Sequence, residues 1–159
     1  METPTPRGTA ERERLGDDIR RVLAGDATRA AKAAHIAELI RSAGPYRWVG
    51  IYDVLPDEIT VIAWSGPGAP AYPRFPRTAG LNGAAVGTGE PVIVQDVSAD
   101  PRYLTTLGGT RAEAVVPVKS AAGAVVGTID VESERAGAFT DADRSLLKAC
   151  AAALAPLWA

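Results

Sequence analysis

The chain has 159 residues, of which 47% are apolar and 23% charged, and its net charge is −2. This length and composition favour one soluble globular domain with a single core. Acids and bases are interspersed, without the basic stripe of a phosphate-binding surface, so nucleic acid is not an expected partner. No run reaches the ~18 apolar residues of a membrane span, so no membrane association is expected.

The N-terminus lacks the apolar core of a signal peptide, which favours a cytoplasmic location. One cysteine excludes an intramolecular disulfide and a cysteine-based zinc cluster. With one histidine as well, a metal site would have to be mostly carboxylate, and no spacing suggests one. We therefore expect neither a metal nor a cofactor.

The first predicted elements are helical. Residues 1–10, rich in Pro and Thr, are predicted to be a flexible arm before a single domain of residues 11–159. Apolar periodicity predicts a helix over residues 11–24. A second helix is predicted to start after Asp26 as its N-cap and to end near Ser42, before a Gly-Pro pair.

Strands follow these helices. The segments RWVGIYDVL and ITVIAW predict a hairpin around the turn PDE. A long Gly- and Pro-rich segment, SGPGAPAYPRFPRTAGLNG, follows and exceeds an ordinary loop, which indicates function or mobility. A helical turn at NGAAVGTG then leads into the strand PVIVQ.

The last third of the chain predicts a loop, a hairpin and a helix. In the loop, Asp96 is expected to anchor the backbone, and Arg102 and Tyr103 to close the rim of a pocket. The hairpin is EAVVPV with AVVGTIDVES, and the last helix starts after Thr140 as its N-cap. Helices at both ends with antiparallel hairpins between them predict an α+β fold. Its central sheet would carry the N- and C-terminal helices on one face and a loop-covered pocket on the other.

Four segments carry a resemblance to a known family. They are YRWVGIYDV, GEPVIVQDVSADPRY, AVVPVKSAAGAVVGTIDVES and FTDADRSLLKACA, and in this order they resemble a GAF domain over roughly residues 25–155. The resemblance implies a central antiparallel sheet, helices on one face that form dimers, and a small-molecule pocket under loops on the other face.

Within GAF domains, the chain is similar to the free methionine-(R)-sulfoxide reductases, through LAGD, RWVGIY, AGLNG, EAVVPV and GTIDVES. That family uses cysteines on the two pocket loops, and by position these fall on Tyr72, Asn82 and Thr106. Reduction of a sulfoxide needs one thiolate to attack sulfur and a second thiol to release the product. None of the three positions is cysteine. Cys150, flanked by alanines in the last helix, is expected to be a small buried residue.

Two aromatic residues are the first candidates for ligand contact. Trp48 and Tyr52 lie on the same face of a predicted strand. The resemblance implies that they hold the methyl-sulfur end of a ligand. The alternative is that they are ordinary core residues, because aromatic residues favour strands.

Three acids are the second group. Asp130 and Glu132 lie two residues apart in a predicted strand, so their side chains share one face of the sheet. Ile129 and Val131 share the opposite face, which is expected to lie under the helices. Glu113 opens the neighbouring strand. Three converging carboxylates would repel one another, which raises their pKa values or requires a cation. The resemblance implies binding of a substrate amino group and oxygen; the alternative is acids that simply face water.

These observations lead to one hypothesis with two alternatives. We expect a non-catalytic, sensor-type GAF domain that binds an amino-acid-like or cationic small molecule. The alternatives are a reductase-like enzyme with an altered site and a dimerisation module with a vestigial pocket. The expected ligand-binding residues are Trp48, Tyr52, Tyr72, Asn82, Thr106, Glu113, Asp130 and Glu132.

Two kinds of protein partner are also expected. An apolar stripe on the terminal helices is predicted to form a homodimer, and it comprises Leu147, Leu154, Leu157 and Trp158. Because we recognise no output motif in the sequence, signalling would pass through another protein.

Overall fold

A computed structural model describes residues 7–159. The helices are α1 (Arg7–Ala24), α2 (Arg29–Ser42), α3 (Gly80–Thr88) and α4 (Asp141–Leu154). The strands are β1 (Trp48–Val54), β2 (Glu58–Ser65), β3 (Arg74–Pro76), β4 (Val92–Val94), β5 (Ala112–Lys119) and β6 (Val125–Ser133). Short 3-10 turns occupy Val97–Ala99 and Ala155–Trp158.

The strands form one antiparallel sheet in the order β3-β2-β1-β6-β5-β4. The two strands that carry the candidate aromatic and acidic residues are therefore neighbours at its centre. Trp48 lies opposite Glu132 and Gly50 opposite Asp130 across the β1–β6 ladder. The predicted α+β fold with a central antiparallel sheet is confirmed.

The main core lies between the sheet and helices α1, α2 and α4. Alternate strand residues, including Val49, Ile129 and Val131, are fully buried on this face. The predicted position of Ile129 and Val131 under the helices is therefore confirmed. Because side chains alternate along a strand, Asp130 and Glu132 must lie on the opposite face.

The opposite face is covered by α3 and by the connections around it. Leu81 and Ala85 of α3 pack with Val115 of β5 in one small cluster. A second cluster joins Trp48 and Tyr52 to residues of β2 and β3. This side of the sheet therefore has two small apolar clusters and no continuous core, and several buried polar residues lie on it.

The helix caps confirm one prediction and correct another. The Thr140 hydroxyl accepts a hydrogen bond from the Asp143 amide, and the Asp143 carboxylate accepts one from the Thr140 amide, which completes a capping box. The predicted N-cap at Asp26 is wrong. Helix α2 begins at Arg29, so the adjacent Thr28 hydroxyl is the group that reaches the free amide of Ala31.

Two boundaries also differ from the prediction. Residues 7–10, assigned to the flexible arm, belong to α1; residues 1–6 lie outside the described part of the chain. Their lack of apolar residues hid the helix, which Arg12 supports by donating to the Thr9 hydroxyl one turn earlier. Strand β3 lies within the predicted loop, because Phe75 pairs with Ile59 and extends the sheet.

The stripe expected to hold a second chain is instead part of this chain's own core. Leu147 and Leu154 are 0% exposed and Leu157 is 8% exposed, because they belong to the core between the helices and the sheet. The predicted interface is therefore wrong for these three residues. Trp158 is partly buried against the same core, and a homodimer stays a prediction. Among residues 7–159, no helix has the length and apolar character needed to cross a membrane.

Candidate ligand pocket

The three candidate acids converge on the loop-covered face of the sheet. Glu113 of β5 lies opposite Glu132 of β6, and Asp130 lies two residues earlier on the same face. One carboxylate oxygen from each acid lies within 4.8 Å of the others. The three residues are at most 2% exposed. The expectation that they converge is met, and the alternative in which they face water is wrong.

Neutral side chains hold one side of this cluster. Asn82 of α3 donates from Nδ2 to Asp130 Oδ2 at 3.0 Å and accepts at Oδ1 from the Thr128 hydroxyl at 2.6 Å. The Thr110 hydroxyl donates to Glu132 Oε1 at 2.8 Å, and Thr106 also hydrogen bonds Glu132. Since both ends of the Asn82 amide are engaged, its orientation is determined by its partners.

Each acid nevertheless keeps one buried oxygen without a hydrogen-bond partner. These atoms are Glu113 Oε1, Asp130 Oδ1 and Glu132 Oε2. A buried polar group left unpartnered costs about 1–3 kcal/mol, and more when it is charged, so native proteins contain few of them. Three within one cluster make the site complementary to a group that donates hydrogen bonds or carries positive charge.

Burial and mutual repulsion make these acids hard to ionise. Burial, then the charges of Asp130 and Glu132, raises the pKa of Glu113 well above its ordinary value. Burial and Asp130 likewise raise the pKa of Glu132, against hydrogen bonds from threonines and the charge of Arg47. Burial also raises the pKa of Asp130, although hydrogen bonds from Glu113 and Asn82 oppose it.

The aromatic residues form a wall next to the acids. The rings of Trp48 and Tyr52 are 6.4 Å apart, and Tyr52 meets Phe75 edge-on at 5.7 Å. Gly50 lies between Trp48 and Tyr52 on the same face, and a Cβ there would lie 2.9 Å from the Tyr52 ring. Burial and then the charge of Asp130 raise the pKa of Tyr52. Trp48 and Tyr52 are thus buried core residues, and they also lie next to the carboxyl cluster.

The loop that follows β4 forms a lid over the cluster. Asp96 accepts hydrogen bonds from the Ser98 amide at 3.1 Å and the Ser98 hydroxyl at 2.6 Å, which confirms the predicted anchor. Farther along, the carbonyl of Thr106 accepts from the Ala71 amide at 2.7 Å. The lid is thereby tied both to the Gly- and Pro-rich segment and, through its threonines, to Glu132.

The two residues expected to close the rim behave differently. Tyr103 is half-buried, and burial followed by the charges of Glu132 and Glu113 raises its pKa, so it lies close to the acids. Arg102 instead forms an exposed ion pair with Asp100 at 2.7 Å. The prediction for Arg102 is wrong because an acid two residues away offers it a partner within the same turn.

A small cavity lies beneath the lid. It is lined by Tyr72, Phe75, Gly80, Asn82, Leu104, Thr105 and Thr106, and its volume is about 10 Å³. Tyr72, Asn82 and Thr106, the three positions that the resemblance singled out, therefore meet around one space, although Tyr72 is half-exposed at its edge. The cavity holds about one water molecule. A ligand of amino-acid size could enter only if the lid moved.

A wider groove of about 570 Å³ lies elsewhere, between α4 and the β5–β6 turn, with Lys119 and Lys148 in its lining. It is open and holds none of the candidate residues. We therefore place the candidate site at the smaller cavity, whose lining includes Asn82 and Thr106, the hydrogen-bond partners of Asp130 and Glu132.

The chain's single cysteine lies on the other face of the sheet. Cys150 of α4 is 1% exposed within the helix-side core, as predicted. Burial raises the pKa of its thiol to about 12, so it stays protonated at neutral pH. No thiolate is therefore available next to the carboxyl cluster.

Thr110 and Thr128 also hydrogen bond into the cluster, although neither was among the predicted site residues. Thr128 could have been found, because it lies two residues before Asp130 and so shares its strand face. Thr110 precedes β5 in an irregular segment, where no periodicity indicates direction.

The chain thus has a small α+β architecture, with a curled antiparallel sheet, helices on one face and a polar, loop-covered cluster on the other. The sequence matches the GAF domain family over residues 29–156, and the chain belongs to that family.

Three similar proteins include one reductase and one putative sensor. GAF domain-containing protein A of Dictyostelium discoideum is 26% identical over 136 residues, which is 85% of this chain and 84% of that protein. The free methionine-R-sulfoxide reductase of Neisseria meningitidis, solved with its substrate, has a TM-score of 0.83 at 29% identity, covering 99% of this chain and 93% of that one. A putative GAF sensor protein from Burkholderia vietnamiensis has a TM-score of 0.83 at 27% identity, covering 93% of each chain.

Proposed function

We propose that this chain is a non-catalytic, sensor-type GAF domain that binds a small amino-acid-like ligand through its ammonium group. The observation that carries the proposal is the set of three buried carboxyls, each with one unpartnered oxygen, beside an aromatic wall.

The chemistry of an ammonium group suits this cluster. It offers three N–H donors and one positive charge, and each of Glu113, Asp130 and Glu132 has one oxygen to accept. Binding would relieve the repulsion among the acids and satisfy atoms that are otherwise buried without partners. Trp48 and Tyr52 would contact the apolar part of the ligand once the lid had moved.

Thiol chemistry is not part of the proposal. Tyr72, Asn82 and Thr106 line the cavity where the reductases carry cysteines, and none of them can form the disulfide that releases a thiol enzyme. The hydrogen bonds of Asn82 and Thr106 to the acids instead support a binding role for these two residues.

Two alternatives have observations in their favour. Similarity to the Neisseria meningitidis enzyme over nearly the whole chain favours a reductase-like enzyme with an altered site. The volume of about 10 Å³ favours a dimerisation module with a vestigial pocket. In both the sensor and the dimerisation module, the chain would act through a second copy or another protein.

A thermal-shift screen of amino acids, their sulfoxides and small amines tests the proposal. A ligand at ~100 times its dissociation constant would stabilise the fold by about 2.7 kcal/mol. Asp130→Asn should weaken that shift, whereas Glu134→Gln, which removes an exposed acid nearby, should not. No stabiliser in the wild type, or equal shifts in both variants, would reject the proposal.

A second assay separates the sensor from the enzyme. With thioredoxin or dithiothreitol as reductant, we expect no reduction of free methionine sulfoxide above a blank. Turnover that persists in Cys150→Ser would establish the enzyme alternative with a thiol-independent mechanism. Turnover lost in Cys150→Ser would assign the reaction to the buried thiol.

A further inference from the structure

We propose that, with the lid closed, Glu113, Asp130 and Glu132 form a binding site for one hard divalent cation, with Ca²⁺ and Mn²⁺ as the best-suited ions. This occupant differs in class from the organic ligand proposed above and needs no space for an organic molecule. The inference therefore does not depend on the ammonium proposal.

The separation of the carboxylate oxygens suits a single ion. Oxygens that bind one Ca²⁺ lie about 2.3–2.6 Å from it, so any two of them are at most about 5 Å apart. One oxygen from each acid already lies within 4.8 Å of the others. The three strand positions are neighbours in the central ladder, so the sheet itself keeps these carboxyls together.

A second observation points independently to an occupant. Glu113 Oε1, Asp130 Oδ1 and Glu132 Oε2 have no hydrogen-bond partner, and the residues that carry them are almost fully buried. Asn82 and Thr110 hold the neighbouring oxygens of Asp130 and Glu132. Such partners orient metal-binding carboxylates, and they leave one oxygen of each acid available.

The ligand atoms select the kind of ion. Carboxylate oxygens suit hard cations, whereas zinc and copper sites usually include nitrogen or sulfur ligands. The one cysteine lies in the helix-side core. Mg²⁺ demands near-ideal octahedral geometry and gives up its waters reluctantly, whereas Ca²⁺ accepts flexible, carboxylate-rich coordination. Ca²⁺ and Mn²⁺ are therefore preferred over Mg²⁺.

Binding can be measured directly on the full chain after removal of ions with a chelator. We expect one Mn²⁺ per chain, counted by loss of the free-ion electron paramagnetic resonance signal. Ca²⁺ should displace it, and Mg²⁺ should do so only at higher concentration. Tb³⁺, a luminescent substitute for Ca²⁺, should show emission sensitised by Tyr52 and Trp48, which adjoin the cluster.

Variants localise the ion. Asp130→Asn and Glu113→Gln should each weaken Mn²⁺ binding at least about tenfold, since each removes one charged ligand. Glu134→Gln, an exposed acid two residues after Glu132, should leave it unchanged. If one pocket variant fails to fold, the other provides the comparison. If both fail, absence of stoichiometric, Ca²⁺-displaceable Mn²⁺ in the wild type rejects the site, and its presence with sensitised Tb³⁺ emission supports it.

The remaining outcomes separate this inference from the proposed function. Absence of one tight ion per chain, or equal affinity in the pocket variants and Glu134→Gln, would overturn the cation site. If amines then still stabilise the wild type, the proposed function stands alone. If ions bind at the cluster and no amine does, the cation site stands and the proposed function fails.

Discussion

Asn82 shows how a single residue can change the character of a pocket. The resemblance to the reductases implies a cysteine at this position in that family, and in this chain the Asn82 amide joins Asp130 to Thr128. A thiol is a weak hydrogen-bond donor and a poor acceptor, so it could not bridge the two groups in this way. Asparagine therefore adds a polar connection between α3 and the sheet and supplies no redox group.

We expect Asn82→Ala to lower the free energy of unfolding by about 1–3 kcal/mol, because Asp130 Oδ2 and the Thr128 hydroxyl would both lose a buried partner. Urea denaturation followed by far-ultraviolet circular dichroism measures this. Thr88→Ala, at an exposed position of the same helix, is the control. A loss no larger than in that control would mean that water replaces the amide without cost.

Glu113→Gln should have the opposite effect on the ligand-free protein. Burial and the like charges of its neighbours penalise the ionised carboxylate, and the neutral amide has nearly the same shape. We expect an unchanged or higher free energy of unfolding at pH 7, measured after chelator treatment. A loss above about 1 kcal/mol would mean that the carboxyl makes a favourable interaction that its amide cannot replace.

At the scale of elements, Asp53 connects three separate parts of the chain. Arg29 at the start of α2 donates two hydrogen bonds to it, at 2.9 and 2.7 Å, and Trp158 Nε1 donates a third at 2.7 Å. The Arg29 guanidinium also lies 5.3 Å from the centre of the Trp158 ring. The C-terminal turn is thereby joined to β1 and α2 by charge-assisted contacts.

This connection predicts a pH dependence. Partial burial alone would raise the pKa of Asp53, but the hydrogen bonds from Arg29 and Trp158 outweigh it and lower the pKa below the ordinary aspartate value. Its stabilising effect is therefore present above pH ~4 and is lost as the pH falls through the lowered pKa. Asp53→Asn should lower stability by about 1 kcal/mol at pH 7, where the carboxylate is charged.

The test compares thermal unfolding of the wild type and Asp53→Asn between pH 3 and 7. The difference between them should shrink as the solution becomes more acidic. Asp17→Asn, which removes an exposed acid from a helical pair with Arg20, is the matched control and should show little difference at any pH. If the stability difference between the wild type and Asp53→Asn did not change with pH, the charge of Asp53 would not be its cause.

At the scale of the whole molecule, the sheet separates two environments. The helix side is a continuous apolar core that includes Leu147, Cys150 and Leu154. The lid side holds the acids, the threonines and Asn82. Because the core face is closed by α1, α2 and α4, a homodimer would have to use surfaces other than this core face.

Leu154→Ala distinguishes core from interface. As a fully buried residue of this chain, its truncation should cost about 2–5 kcal/mol. In a chain whose stability does not depend on association, the loss should be the same at every protein concentration. Light scattering at micromolar concentration measures assembly separately. A loss of stability that vanished on dilution would place Leu154 in an interface between chains.

Much of the fold follows from local patterns in the sequence. Alternation along β1 and β6 predicted which residues lie under the helices, and Thr140 with its acids predicted the start of α4. Positions matched to the reductases located the residues around the cavity, and the composition showed that only one thiol exists. These features depend on near neighbours in the chain, so periodicity and hydrogen-bonding chemistry are enough to predict them.

Tertiary structure decided the rest. Apolar residues at helical spacing cannot indicate whether their partner is the same chain or another, and the stripe of Leu147 and Leu154 proved to be core. The predicted hairpin indicated that Glu113 lies near Asp130 and Glu132, but only the register between β5 and β6 places it directly opposite Glu132. The closed lid, the small cavity and the unpartnered oxygens likewise arise from contacts between segments far apart in sequence. The sequence determined which groups are available, and packing determined which of them meet away from water.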